Sequence, residues 1–132
     1  MLQLTRPTAL KLAAVLSLVV AIIGVTLYDL PNLLLGAAAS RSPYPLVLGS
    51  FVTDVLAFVA AYGAWRNQKW GAVLLIVINA FWVVQAVSGL LFDTTGFETV
   101  FASAMLVHHL VVIMLCLWRE PAVAQGHQRR GR

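Results

Sequence analysis

The residues of this chain best placed to do chemistry are polar side chains inside long apolar runs. Asp54 lies near the middle of Pro45–Trp65, a run long enough to cross a bilayer. A carboxylate at the centre of a spanning helix costs about 3 kcal/mol on insertion scales, so Asp54 is expected to face protein or water rather than lipid. An ionisable residue kept at such a cost is a candidate for a functional site.

Two further apolar runs carry polar residues at a similar depth. Asn79 lies nine residues beyond Trp70, and His108 lies eleven residues beyond Phe97. At about 1.5 Å per residue, both positions reach the midplane, as Asp54 does. The sequence therefore predicts one buried polar cluster, drawn from Asp54, Asn79, His108 and His109.

The two adjacent histidines cannot both point into the bundle, because neighbouring residues on a helix diverge by about 100°. Depth favours His108 as the inward residue, although His109 is nearly as good. Trp82 and Gln85 follow Asn79 at intervals of three residues and are candidates for lining the same cavity.

This cluster allows two interpretations. As structural glue between helices it would contribute about 0.6 kcal/mol per hydrogen bond. As a proton relay or ligand site, it would rest on an Asp54–His108 pair with Asn79 as its hydrogen-bonding neighbour, because burial and charge together can poise such a pair for proton exchange. With three histidines, one of them in the tail, the chain offers no closed ligand set for a metal or haem. We therefore expect no metal, no cofactor and no catalytic residues.

Composition fixes the class of protein. Hydrophobic residues make up 61% of the 132 residues, charged residues 11%, and the mean hydropathy is +0.88. Soluble domains contain about 45–50% apolar and about 25% charged residues. The chain is therefore predicted to be an all-α integral membrane four-helix bundle with short loops and no soluble catalytic module.

The apolar runs give four expected spans within one transmembrane domain, residues 1–120. Asp29 and Pro31 are expected to end the first span, because proline cannot continue a helix, and the apolar residues after them are expected to form a short interfacial helix. Residues 121–132 lack periodicity and are predicted to be a disordered basic cytoplasmic tail. The spans are expected at about residues 12–28, 45–65, 71–91 and 97–118.

Charge predicts the orientation. If the N-terminus is cytoplasmic, eight Lys and Arg residues lie on that side and only Arg41 on the other. Both termini are then inside, in the inner (plasma) membrane of a cell, and the sequence pI of about 9.9 needs no nucleic-acid partner to explain it. The expected partners are the lipid bilayer and either a second copy or another membrane protein. The expected interface anchors are Trp65, Arg66, Lys69, Trp70, Trp118 and Arg119.

The stretch Leu48–Trp82, LGSFVTDVLAFVAAYGAWRNQKWGAVLLIVINAFW, resembles the second and third helices of DoxX-like four-helix bacterial membrane proteins. The shared features are an acid in the second helix followed by a tight basic turn; this chain has Asp54 where the family has Glu. The resemblance implies an accessory membrane subunit associated with quinone-linked or oxidative-stress oxidoreductases.

Three functions follow from these observations. The first is an accessory or scaffold subunit without its own catalytic centre. The second is a small proton-coupled transporter that uses Asp54, His108 and Asn79. The third is a membrane protein that binds a quinone or another lipophilic molecule between Trp82, Gln85 and Asp54.

Overall fold

A computed structural model describes residues 4–36, 44–92 and 96–119 of the chain. Within these ranges the protein is all-helical, and each of its four helices is long and apolar enough to cross a membrane. The predicted all-α class with four helices long and apolar enough to span a membrane is confirmed, whereas the tail predicted for residues 121–132 lies outside the described residues. The four helices are Arg6–Leu35, Tyr44–Trp65, Lys69–Phe92 and Gly96–Leu117.

The helices pack side by side in chain order, and the first helix closes the bundle against the fourth. The two ends of the described chain meet directly, because the indole nitrogen of Trp118 donates a 3.0 Å hydrogen bond to the carbonyl of Leu4. We call the end of the bundle that contains this contact the basic end, since Lys11, Arg66 and Lys69 lie there. Short loops and an even number of helices bring both termini to this end.

Small residues form most of the core. On the second helix the buried positions recur at intervals of three and four residues, which is the spacing of one helix face. Side chains on the outer faces are large and apolar, for example Leu27, Leu34 and Val100, as expected of surfaces that contact lipid. The buried face of the second helix comprises Val47, Ser50, Asp54, Ala57, Ala61 and Ala64.

The turn between the second and third helices is tight. Asn67 has a φ of 57°. The N–H of Gln68 donates to the carbonyl of Gly63 at 2.9 Å, and the N–H of Asn67 donates to the carbonyl of Ala64 at 2.9 Å. This pattern is a Schellman motif, in which a left-handed residue ends a helix. A Cβ on Gly71 would collide with the backbone of Gly63 and Ala64, so glycine allows the two helices to approach this closely.

The first helix differs from the prediction, because it does not end at Asp29 and Pro31. It continues to Leu35 and ends at Gly36, which has a φ of 75°. Between Gly24 and Asp29 it widens into a π-helical segment, where the N–H of Leu30 bonds to the carbonyl of Val25, five residues earlier. The separate interfacial helix predicted for residues 33–40 is therefore wrong for residues 33–35, which belong to the first helix, and residues 37–40 lie outside the described residues.

The wider turn explains how proline is tolerated. In an α-helix the proline ring clashes with the carbonyl four residues back, and a π-turn is one of the ways to relieve such a conflict. Side chains supply additional donors on both sides of the irregular segment. The Asn32 amide donates to the carbonyl of Tyr28 at 2.7 Å, and the Thr26 hydroxyl donates to that of Ile22 at 2.7 Å.

Candidate functional site: a buried carboxylate pair

The acidic residue of the second helix lies against a second acid, Asp29, which the sequence predicted to lie at the end of the first span. Asp54 is 2% exposed and Asp29 is completely buried. The two carboxylates lie within hydrogen-bonding reach of each other, and the Ser50 hydroxyl lies beside Asp29. We call Asp29 and Asp54 the carboxylate pair; it sits between the first and second helices.

The π-helical segment places Asp29 in this pair. In a regular α-helix a residue five positions after Gly24 would point about 140° away from it. In the π-turn the hydrogen bond spans five residues, so Asp29 returns to the face of Gly24, the face that packs on Asp54. One extra residue in a single turn therefore brings the two carboxylates together.

Gly24 makes room for Asp54. A Cβ built on Gly24 would collide with the Oδ2 atom of Asp54 and would lie 3.2 Å from its Cγ atom. The backbone of Gly24 is ordinary right-handed helix, with φ −57° and ψ −54°. Glycine is therefore needed here for space and not for conformation.

The carboxylate pair lacks a cationic partner among the described residues. Both oxygens of Asp29 and the Oδ2 of Asp54 are buried without a hydrogen-bond partner. In the part of the chain that the structure describes, neither carboxylate forms an ion pair with a lysine or arginine. Two buried carboxylates in contact cannot both carry a charge without a compensating cation, so the pair must hold a proton or another positive ion.

A second polar group, the Asn79 cluster, consists of Ser17, Asn79 and His109. The Asn79 amide nitrogen donates to Ser17 Oγ at 3.2 Å and to the carbonyl of Leu75 at 2.8 Å. Its oxygen lies 2.9 Å from Nδ1 of His109. Within this geometry Nδ1 of His109 carries the proton, because the oxygen of Asn79 can only accept. All three side chains are at least 97% buried, and their amide, hydroxyl and imidazole groups tie three helices together.

The structure therefore divides the predicted polar cluster into two. Asn79 lies with His109 and not with Asp54, whose described partners are Asp29 and Gly24. Ser17 and Gly24, which contact the two groups, are seven residues apart on the first helix. Seven residues are two turns, so the groups share one face and are separated by about 10 Å along the helix.

The histidine favoured by depth is not the one that bonds to Asn79. His109 is 3% exposed, whereas His108 is only partly buried and lies near the backbone carbonyl of Leu16. Nε2 of His108 is buried without a hydrogen-bond partner. The expected Asp54–His108 pair is absent among the described contacts, and the rings of the two histidines lie edge to face at 5.3 Å.

The two residues predicted to line a cavity have different surroundings. Trp82 is 5% exposed and its ring lies 5.0 Å from that of His109. Gln85, one turn further along, is only partly buried. Trp82 therefore closes one side of the Asn79 cluster, and Gln85 lies nearer the opposite end of the bundle.

The predicted interface anchors lie at the basic end. The ammonium group of Lys11 lies 5.5 Å from the ring centre of Trp65, a cation–π contact. The indole of Trp70 donates to Gln68 at 2.6 Å, and that of Trp118 donates to Leu4. Arg66, Lys69 and Arg119 are exposed around these tryptophans.

No group of three or more metal-ligating side chains is found within residues 4–36, 44–92 and 96–119. Comparisons with family models, with curated proteins and with solved structures give no match to this chain. The resemblance to DoxX-like proteins therefore stays a prediction.

Proposed function

We propose that this protein is a small proton-coupled membrane carrier in which the carboxylate pair binds the proton. The observation that carries the proposal is the contact between two buried acids that have no cationic partner among the described residues. Side chains that serve only as glue between helices are expected to satisfy each other, as Asn79 and His109 do. The carboxylate pair instead leaves its oxygens available to a mobile positive charge.

A shared proton suits this geometry. One proton between Asp29 and Asp54 gives a hydrogen bond between the two carboxyl groups and removes one of the two negative charges. Two protons would make the site neutral, which is the cheapest state in a low-dielectric bundle. Loading and release of protons therefore change the stability of the contact between the first and second helices.

The π-turn provides a way to couple protonation to movement. If the segment Gly24–Asp29 returned to α-helical geometry, the residues after it would rotate by about 100° relative to those before it. Asp29 would then leave Asp54 and turn towards another side of the first helix. A π-to-α change in one helical turn at a carboxylate site is consistent with the general architecture of carriers. In these proteins irregular helices surround a central binding site, which opens to one side of the membrane at a time.

The Asn79 cluster lies on the path from the carboxylate pair to the basic end. Ser17, Asn79 and His109 offer hydroxyl, amide and imidazole groups at a level two turns closer to that end. We assign the Asn79 cluster a structural role, because its hydrogen bonds hold the first, third and fourth helices together. Trp82 packs against the ring of His109 on one side of this cluster.

The expected location is the inner membrane of a cell with both termini in the cytoplasm. Support comes from the basic end, where exposed Arg66 and Lys69 lie beside Trp65 and Trp70 at the same end as Leu4 and Trp118. Lysine and arginine are retained on the cytoplasmic side of membranes, and tryptophan prefers the headgroup level.

The test uses purified protein in liposomes that contain a pH-sensitive dye. The liposomes are challenged with a panel of inorganic cations, organic cations, carboxylic acids and neutral solutes, and proton movement reports coupled flux of any of them. We expect a response in the native protein, its loss in the Asp54→Asn variant, and its retention in the Ser88→Ala variant. Ser88 is a matched control, because it is exposed on the third helix and its described hydrogen bond is to the carbonyl of Val84 in the same helix.

The carrier hypothesis would be rejected if, for every solute in the panel, proton movement were equal to that in protein-free liposomes. The accessory or scaffold role would then take its place, and the Asp54→Asn variant would be expected to bind its membrane partner normally. Release of a lipophilic molecule from the purified protein would instead favour the quinone-binding alternative.

A further inference from the structure

The carboxylate pair contains more oxygen atoms than one shared proton can satisfy. One shared proton satisfies one oxygen of each carboxylate, which leaves two buried oxygens without a positive partner. The Ser50 hydroxyl adds another oxygen beside Asp29. All of these groups are hard oxygen ligands, and the described contacts of the pair include no sulfur or imidazole nitrogen. Such a set binds hard cations and disfavours the softer transition metals.

Burial fixes the charge that the site can accept. Asp29 is completely buried, both of its oxygens are unpartnered, and they lie within reach of Asp54. A site this far from water is stable only when its net charge is close to zero. The pair reaches neutrality with two protons, with one proton and one monovalent cation, or with one divalent cation. Exchange of one proton for one monovalent cation therefore leaves the charge of the site unchanged.

Divalent cations fit the site less well. Ca²⁺ takes six to eight oxygen ligands, and Mg²⁺ keeps several of its waters. Two carboxylates and one hydroxyl supply at most five oxygen ligands. Because both carboxylates are buried between two helices, the remaining ligands of a divalent ion would have to be water molecules in a buried site. The number of oxygen ligands therefore favours a small monovalent ion over a divalent one.

We propose that the carboxylate pair and Ser50 form a binding site for a small hard monovalent cation, Na⁺ or Li⁺, which competes with a proton. The inference rests on the proposed proton-binding role of the pair and names the ion for which the proton is exchanged. Gly24 belongs to the site because it leaves space for the Asp54 carboxylate beside the first helix. Binding of the ion releases one proton, so charge and protons balance in the exchange.

The experiment measures binding of radioactive Na⁺ to the purified full-length protein in detergent, together with the protons released, over a series of pH values. We expect one Na⁺ bound and one proton released per chain. The apparent Kd for Na⁺ should rise about tenfold for each unit of pH decrease in the range where the pair takes up its proton, because a 1:1 competition requires it. Li⁺ should displace the bound Na⁺, and K⁺ should do so poorly because it is larger.

Variants separate this site from surface binding. The Asp29→Asn and Asp54→Asn variants should lose measurable Na⁺ binding, and the Ser50→Ala variant should weaken it several-fold. The Ser88→Ala variant should bind as the native protein does. Because Asn has the size of Asp and no charge, these variants are expected to remain folded, which size-exclusion chromatography in the same detergent checks.

The possible failures are distinct. If the chain releases and takes up a proton that depends on Asp29 and Asp54 but binds no Na⁺ or Li⁺, the cation site is refuted while the proton site stands. Displacement by Ca²⁺ or Mg²⁺ at lower concentrations than by Li⁺ would overturn the monovalent assignment. If neither proton exchange nor ion binding depends on the pair, both proposals fail together.

Discussion

Substitution of Gly24 by alanine tests the packing that forms the carboxylate pair. The new Cβ would collide with Oδ2 of Asp54 and would lie 3.2 Å from its Cγ atom. Asp54 can escape only by turning its short side chain, which moves it out of the position facing Asp29. We expect the Gly24→Ala variant to be less stable and to lose most of its coupled proton flux.

The expected magnitude comes from two opposing terms. Overpacking of a well-packed core by one methyl group costs about 1–3 kcal/mol. Because Gly24 has right-handed helical angles, alanine also regains about 1 kcal/mol of helix propensity. The net loss in the free energy of unfolding should therefore be at most about 2 kcal/mol. Equilibrium unfolding in mixed detergent and SDS micelles, followed by tryptophan fluorescence, measures it.

Gly49 offers a matched control in the neighbouring helix. A Cβ there would meet only Phe81, at an ordinary contact distance of 3.5 Å. The Gly49→Ala variant should be as stable as the native protein or more stable, by up to about 1 kcal/mol. In the Asp54→Ala background, Gly24→Ala should lose its penalty, giving a coupling energy of about 2 kcal/mol in a double-mutant cycle. Equal effects of Gly24→Ala and Gly49→Ala would refute the packing argument.

Three further predictions concern other parts of the bundle. Gly71→Ala should destabilise the protein more than Gly96→Ala, measured by the same unfolding experiment, because a Cβ on Gly71 meets backbone whereas one on Gly96 meets nothing within 4 Å; equal losses would contradict this. His109→Leu should cost about 1–3 kcal/mol by leaving the oxygen of Asn79 unsatisfied, and His108→Leu should cost less, so the reverse order would count against the Asn79 cluster. In intact cells, a membrane-impermeant thiol reagent should label the Leu35→Cys variant and not the Gln68→Cys variant; the opposite labelling would overturn the proposed orientation.

The class and the helix count could be predicted from the sequence because membrane insertion depends on simple quantities. Length and hydropathy define the runs, and the second, third and fourth helices begin and end within about two residues of the expected spans. The tight turn at Asn67 could be placed because it is the only short polar break between two tryptophans.

Asp29 was missed because Pro31 reads as a stop signal. Proline ends most helices, so Asp29, two residues before it, is predicted to end the first span and is not recognised as the partner of Asp54. A π-turn depends on the fit of the first helix to its neighbours and has no simple sequence pattern. One signal was present: apolar residues resume after Asn32 and continue to Leu35, so Asp29 is the one acidic or basic residue between positions 12 and 35.

The choice between His108 and His109 failed for a different reason. The fourth helix is apolar on all sides, so its sequence shows no polar face that would fix its rotation. Depth alone cannot separate neighbours that differ by about 1.5 Å. The rotation is instead fixed by packing, since Val112 and Cys116 lie on the same buried face as His109.

The most direct test of the central claim is infrared difference spectroscopy of the purified protein, which detects protonated carboxyl groups. Native protein taken from high to low pH should gain the carbonyl band of a buried protonated carboxyl group, and both the Asp29→Asn and the Asp54→Asn variants should lose or shift that band. The Ser88→Ala variant should retain it. A band that is unchanged in both aspartate variants would contradict the carboxylate pair as the proton site.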